Sequence, residues 1–210
     1  MDHSDGLRNL LKDETRLVTL AAMVLGATVI LITFRDYGVA WDDWIQSVYG
    51  RQVVDYFASG FTDTSCNRLS DLRMYGPLFE IVSAVLVPEI GDYPLFELRH
   101  LLTALTGLAT VLGVIRLGGM LTVRWASIYS ALALVTIPRF YGHAFINSKD
   151  IPFACAVVWY LVALGKFCLN PVITWKRLLA IGFAAGLAAA VRPGGVPVLI
   201  LVTLIPVSFL

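Results

Sequence analysis

Charge is what this chain has least of. Only 15% of its 210 residues are Asp, Glu, Lys or Arg, against about a quarter in a soluble domain of ordinary composition. That shortage excludes a typical water-soluble globule. Together with 58% hydrophobic residues and a mean hydropathy of +0.76, it marks an integral membrane protein. A net charge of +1 supplies no field to gather nucleic acid, so no nucleic-acid partner is expected. Cysteine is scarce as well: Cys66, Cys155 and Cys168 show neither metal-ligand spacing nor a disulfide framework. Two of them lie in or at the end of an apolar run, where cysteine behaves as a small hydrophobe. No Gly-x-Ser-x-Gly is present, which argues against an intramembrane serine hydrolase. The absence of an internal repeat argues against a two-halved secondary transporter.

What the chain does have is a series of apolar runs. Residues 1–16 are polar, with Arg8, Lys12 and Arg16, and read as a cytoplasmic tail. Residues 17–34 then contain 18 positions without a charge, about the minimum for crossing a ~30 Å hydrocarbon core. A cleaved signal peptide is the rival reading, since Gly38-Val-Ala40 resembles a cleavage site. Its apolar core is usually about 7–15 residues, and this one is longer. Further spans are expected at 98–115, 120–137, 151–165, 178–191 and 196–210, with Arg124 snorkelling to the interface. The expected fold is all-α, a polytopic transmembrane helical bundle forming one membrane domain over 1–210. The final apolar run, from Pro197, meets no polar stop before Leu210, which reads as an N-terminal fragment of a longer protein.

Between the first and second spans lies a long loop, 35–97, whose segment 35–74 carries ten charged residues. Trp41-Asp42-Asp43-Trp44 opens it, and Gln46, Tyr49, Arg51, Asp55 and Tyr56 follow at helical spacing. Tryptophan and tyrosine favour the membrane–water interface, so an amphipathic helix lying along the membrane is expected. Acidic residues in a first turn also suit the helix dipole, and Asp42 and Asp43 fit a cap as well as a catalyst. Residues 75–90 contain Pro77, Glu80 and Pro88 and are short for a span. They either cross or dip into one leaflet and return. The loops 116–124 and 166–177 hold five basic residues and no acid, the pattern of a cytoplasmic side. That pattern fits only if 75–90 does not cross. Without a crossing, Asp42, Asp43, Arg139, His143, Lys149, Asp150 and Arg192 share the outer face; with one, the acidic clusters are separated.

The stretch Pro138 to Pro152 gathers Arg139, Tyr141, His143, Asn147, Lys149 and Asp150 between two apolar runs. Polar groups at span ends are costly unless they bind something. Two separated acids near several cations fit group transfer from a phosphate-linked donor. One carboxylate takes the proton of an acceptor hydroxyl. A second orients the base or shares a divalent cation through oxygen. Lysine and arginine stabilise the charge developing on a departing phosphate. Blander readings compete: Arg192 as a snorkelling residue, His143 as a hydrogen-bonded loop histidine, Tyr75 and Tyr141 as interfacial anchors. Glu80 has no evident role in the sequence.

These motifs resemble the membrane glycosyltransferases of the GT-C superfamily, in the branch of protein O-mannosyltransferases and lipid A aminoarabinose transferases (glycosyltransferase family 39-like). Trp41-Asp42-Asp43-Trp44-Ile-Gln is similar to the acidic motif that opens their outer loop, with Asp42 or Asp43 as base. Tyr75-Gly-Pro77-Leu-Phe resembles the segment before their second span. Where that branch often has a phosphate-meeting lysine, this chain has Gly76, which shifts phosphate binding to Arg73, Arg139, Lys149 or Arg192. Ser148-Lys149-Asp150-Ile-Pro152 resembles the second acidic motif. Gly182 to Gly195, through Arg192-Pro, resembles the later glycine-rich run ending in a basic residue. The resemblance implies Asp42, Asp43 and Asp150 as catalytic, and Tyr75, His143 and Asn147 as substrate contacts. A divalent cation, if used, would fall to the same three acids. The implied donor is a polyprenyl-phosphate sugar, and the acceptor a hydroxyl of a glycan, lipid or protein. The implied setting is a multi-pass protein of the plasma membrane in a prokaryote or an endomembrane in a eukaryote. A polytopic transporter or a non-catalytic membrane scaffold is the alternative.

Overall fold

The computed structural model describes residues 3–207 apart from 70, 92, 122 and 124; side chains are described from residue 16 to 204, apart from those four and Tyr93. The chain is helical in class. Its first helix, α1 (His3–Thr33), includes both the apolar window Arg16–Thr33 and the polar segment before it. There follow α2 (Asp43–Ala58), α3 (Leu78–Leu86), α4 (Phe96–Gly118), α5 (Ala126–Thr136), α6 (Pro138–Ile146), α7 (Asp150–Leu169), α8 (Trp175–Val191) and α9 (Val196–Val207). Single 3-10 turns occur at Ser65–Arg68, Leu72–Met74 and Pro193–Gly195. A two-residue antiparallel ladder, Glu89–Ile90 with Tyr93–Pro94, turns the chain from α3 into α4.

Among the described residues, three helices are long and apolar enough to cross a bilayer: the Arg16–Thr33 part of α1, α4 and α7. Leu20, Leu25, Leu31 and Ile32 of α1 and Leu178, Leu179 and Phe183 of α8 are exposed. An apolar surface of this extent is compatible with a lipid bilayer around it.

Several boundaries differ from those the sequence suggests, each for a local reason. The span expected at 120–137 is a helix of only 11 residues, about 17 Å long at 1.5 Å per residue. It starts late because Trp125 takes a left-handed φ of 68°, a conformation that ends regular helix on its N-terminal side. Arg124 lies outside the described residues, as do the last three positions of the run expected at 196–210. Residues 138–150, expected as loop, are mostly helix: Pro138 occupies the first turn of α6, where its missing N–H costs nothing. Residues 75–90 form no long helix. Their α3 has 9 residues, about 14 Å, less than half of a ~30 Å hydrocarbon core.

The core is organised on α4, which packs against α1, α5, α6 and α7, while α8 packs on α7. Ile30, Ala104, Phe145 and Ile151 bring α1, α4, α6 and α7 into one buried cluster, and Ala156, Tyr160, Ala184 and Leu199 join α7, α8 and α9 in another. The helix α2 has an unusual polarity. It buries Asp43, Gln46, Ser47 and Gly50 and exposes Trp44, Ile45 and Phe57. Tyr49 and Val53 of the same helix are buried as well, packed with Cys66 and Leu72. Gly50 makes that seating feasible, because a Cβ there would lie 2.4 Å from the Glu80 carbonyl oxygen of α3.

Candidate functional site

The turn between α6 and α7 is built by Asn147. Its side-chain Oδ1 accepts from the backbone N–H of Asp150 at 2.7 Å and of Lys149 at 3.2 Å, a local closure for which asparagine is suited. Pro152 then falls in the first turn of α7, where no N–H is needed. The result places Ser148, Lys149 and Asp150 as three successive side chains at one end of the bundle.

They meet the start of α2 there. Lys149 Nζ lies 3.3 Å from Asp42 Oδ2, and Arg192, just past α8, places Nη2 2.8 Å from Asp150 Oδ1. Asn147 Nδ2 donates to Asp150 Oδ2 at 2.9 Å and contacts His143 Nδ1 at 2.7 Å. Asp42, Gln46, Tyr75, His143, Asn147, Lys149, Asp150 and Arg192 all line one cavity of about 360 Å³. Both cations lie against the Tyr75 ring: Lys149 Nζ stands 4.7 Å from its centroid and the Arg192 guanidinium carbon 5.8 Å. Tyr49 holds the Tyr75 backbone, its hydroxyl donating to the carbonyl at 3.3 Å. Burial pushes the Tyr49 phenol above its ordinary range, so it stays a protonated donor. Arg192 Nε is buried and has no hydrogen-bond partner among the described residues.

The structure separates Asp42 from Asp43. The Asp42 carboxylate is 47% exposed at the cavity. Asp43 is buried, accepts from the Ala40 backbone N–H at 2.8 Å and lies 3.9 Å from His100 Nε2; it does not line the cavity. Arg73 and Arg139 are exposed and also stand outside the lining. Asp42, Asp43 and Asp150 form no three-ligand group, and no cluster of three or more His, Cys, Asp or Glu able to hold a metal occurs among the described residues. The residues present therefore do not fit a three-carboxylate cation site.

Gly76 has a steric reason. A Cβ at this position would lie 2.0 Å from the Ala190 carbonyl oxygen near the end of α8, so the space a longer side chain needs is taken by backbone. The cations that flank Tyr75 come instead from α7 and the end of α8.

Beneath the cavity is a polar network that the sequence does not announce. Gln46 Nε2 donates to Asp42 Oδ2, and Gln46 Oε1 meets the Ser148 hydroxyl. Ser148 Oγ donates to Glu80 Oε1 at 2.7 Å. Glu80 Oε2 accepts from Arg99 Nη2 at 2.7 Å, and Arg99 Nη1 donates to Ser83 at 2.7 Å. Gln46, Ser83, Glu80, Arg99 and Ser148 are all buried. Two signals in the sequence bear on it: Gln46 stands one helical turn after Asp42, and Glu80 is a lone carboxylate in an apolar run.

An apolar groove of about 1130 Å³ runs between α3, α4, α7 and α8, lined by residues such as Leu105, Trp159, Ala180 and Leu187. Phe79 and Val191 line both this groove and a narrow gap shared with Tyr75, Ser148 and Lys149 of the polar cavity. A scan against protein-family models and searches of curated proteins and of solved structures give no match to this chain.

Proposed function

We propose that the protein is a multi-pass membrane glycosyltransferase of the GT-C kind. It moves a sugar from a polyprenyl-phosphate donor to an acceptor hydroxyl on the outer face of the membrane. One observation carries the reading: Asp42 and Asp150 line a single cavity together with Lys149 and Arg192, and a narrow gap beside Tyr75 and Lys149 shares Phe79 and Val191 with an apolar groove. A polar cavity alone suits many anions. The adjoining groove suits one whose phosphate bears a long hydrocarbon tail, which would lie along α7 and α8 with its head at Lys149 and Arg192.

In this reading Asp42 is the general base. It is the half-exposed carboxylate of the acidic pair, and Gln46 fixes its second oxygen. The acceptor hydroxyl gives its proton to Asp42 as its oxygen forms a bond to the sugar's anomeric carbon. The bond from that carbon to the donor phosphate oxygen breaks, and the electron pair leaves with the phosphate. Lys149 and Arg192 stabilise the charge that develops there, which is where fixed cations contribute most. Lys149 is paired with Asp42, and Arg192 with Asp150. The donor phosphate replaces Asp42 at Lys149, so binding the donor also frees the base. Asp150, held by Asn147 and Arg192, orients the acceptor. The helix α2, with Trp44, Ile45 and Phe57 outward, lies in the interface above the spans.

The test is transfer of label from a radiolabelled polyprenyl-phosphate sugar by the purified full-length protein in liposomes. Transfer that disappears with Asp42→Asn, while the variant remains inserted, supports the reading. Transfer unaffected by that change overturns it.

A further inference from the structure

The site is made from chain segments far apart in sequence, and one hydroxyl joins two of them. Ser148 immediately precedes Lys149 and Asp150, yet its side chain is buried and turned toward Gln46 and Glu80. Gln46 in turn donates to Asp42. Glu80 is fixed from below by Arg99 of α4, itself tied to Ser83 of α3. Side-chain contacts thus run from Asp42 to Arg99, with the one Ser148 proton given to Glu80 or to Gln46 but not to both at once, and four of the five side chains, Gln46, Ser148, Glu80 and Arg99, are buried. Glu80 does not line the polar cavity. The buried Glu80–Arg99 pair is consequently an anchor and not a contact of the substrate.

We infer that Ser148 is a positioning residue. Its hydroxyl, held by the Glu80–Arg99 pair, sets the separation between Asp42 on α2 and the Lys149–Asp150 step on α7, and so keeps base and phosphate grip in register. This rests on the transferase reading for its consequence in activity, but not for the existence of the linkage. Displacement of a reacting group by about 1 Å costs rates of the order of a hundredfold. A serine that merely filled space would influence folding alone.

Three variants of the full-length protein in liposomes separate these roles. Ser148→Ala removes the hydroxyl and leaves the Glu80–Arg99 pair intact. It is expected to lower kcat by about ten- to a hundredfold, with KM for a polyprenyl-phosphate sugar changed less than about threefold. Ser148→Thr, which keeps the hydroxyl, is expected to recover most of that rate. Gln46→Met breaks the chain one link nearer the base and is expected to reproduce the Ser148→Ala loss, with no further fall when the two are combined. Normal kcat per folded molecule in Ser148→Ala would overturn the inference, as would equal losses in the alanine and threonine variants. A wild-type protein that transfers no sugar sinks the transferase reading and still leaves the linkage testable. In ligand-free thermal unfolding, the Tm shifts of Ser148→Ala and Gln46→Met should then fail to add; strict additivity would overturn the linkage itself.

Discussion

Lys149 Nζ and Asp42 Oδ2 lie 3.3 Å apart across 107 positions of sequence. A contact of that kind requires the end of α1 and the start of α7 to share one end of the bundle. The 9-residue α3, too short to carry the chain to the opposite side, is what allows it. The same end receives Arg192 from the end of α8, so Asp42 of the first loop converges with cations from the ends of later helices.

Asp42 and Asp43 are adjacent in sequence and opposite in placement, which predicts opposite consequences. Asp42→Asn should lower transfer by about 10²- to 10⁴-fold, the range for losing a general base, with little change in Tm. Asp43→Asn should leave kcat per folded molecule within about threefold while lowering Tm, because the carboxylate holds the Ala40 N–H inside the protein. Parallel label-transfer and thermal-unfolding measurements on both variants check this, and the reverse pattern would move the base to Asp43.

Much of the site was legible because its residue types are conspicuous in an apolar chain. Asp42, Tyr75, His143, Asn147, Lys149, Asp150 and Arg192 stand out as polar groups at span ends, and all of them reach one cavity. Arg73 and Arg139 stand out equally and do not reach it; sequence shows that a cation is near a span end, not which way its helix faces. The helix α6 was hidden because proline reads both as a breaker and as a first-turn residue. Glu80 and Arg99 were illegible as a pair, since 19 residues and a reversal of chain direction separate them. The burial of α2's polar side was hidden for the same reason: only the fold supplies Glu80, Ser148 and His100 as its neighbours.

The Glu80–Arg99 pair should be asymmetric in its response to mutation. Glu80→Gln or Arg99→Met alone leaves an uncompensated buried charge and should cost about 3–5 kcal/mol. Replacing both, as Glu80→Gln with Arg99→Met, should be less damaging than either alone. Unfolding in detergent, followed for all three variants, measures the difference. Additive losses would mean that the two side chains do not depend on one another.

Gly76 is predicted to be intolerant of any side chain. Gly76→Ala drives a Cβ against the Ala190 carbonyl and should destabilise the protein by about 1–3 kcal/mol, the range for overpacking. Gly76→Lys should not increase donor affinity, although it adds a cation beside Tyr75. A lysine variant that folds normally and binds donor more tightly would contradict the close approach of α8.

The groove makes a prediction about tail length. Ala180 is exposed on the groove wall, so Ala180→Trp fills the channel without touching the polar cavity. KM for a long-chain polyprenyl-phosphate sugar should rise about tenfold or more, while a water-soluble analogue with a short chain should be used as before. Equal effects on both donors would remove the tail from the groove.

Cysteine accessibility tests the convergence of the two acidic segments most directly. In full-length protein with Cys66, Cys155 and Cys168 replaced by serine, single changes Asp42→Cys and Asp150→Cys are exposed to a membrane-impermeant thiol reagent in oriented vesicles. Both positions should react from the same side, and a bound lipid phosphate should slow both. Reaction of the two from opposite sides of the membrane would contradict the shared cavity and everything built on it.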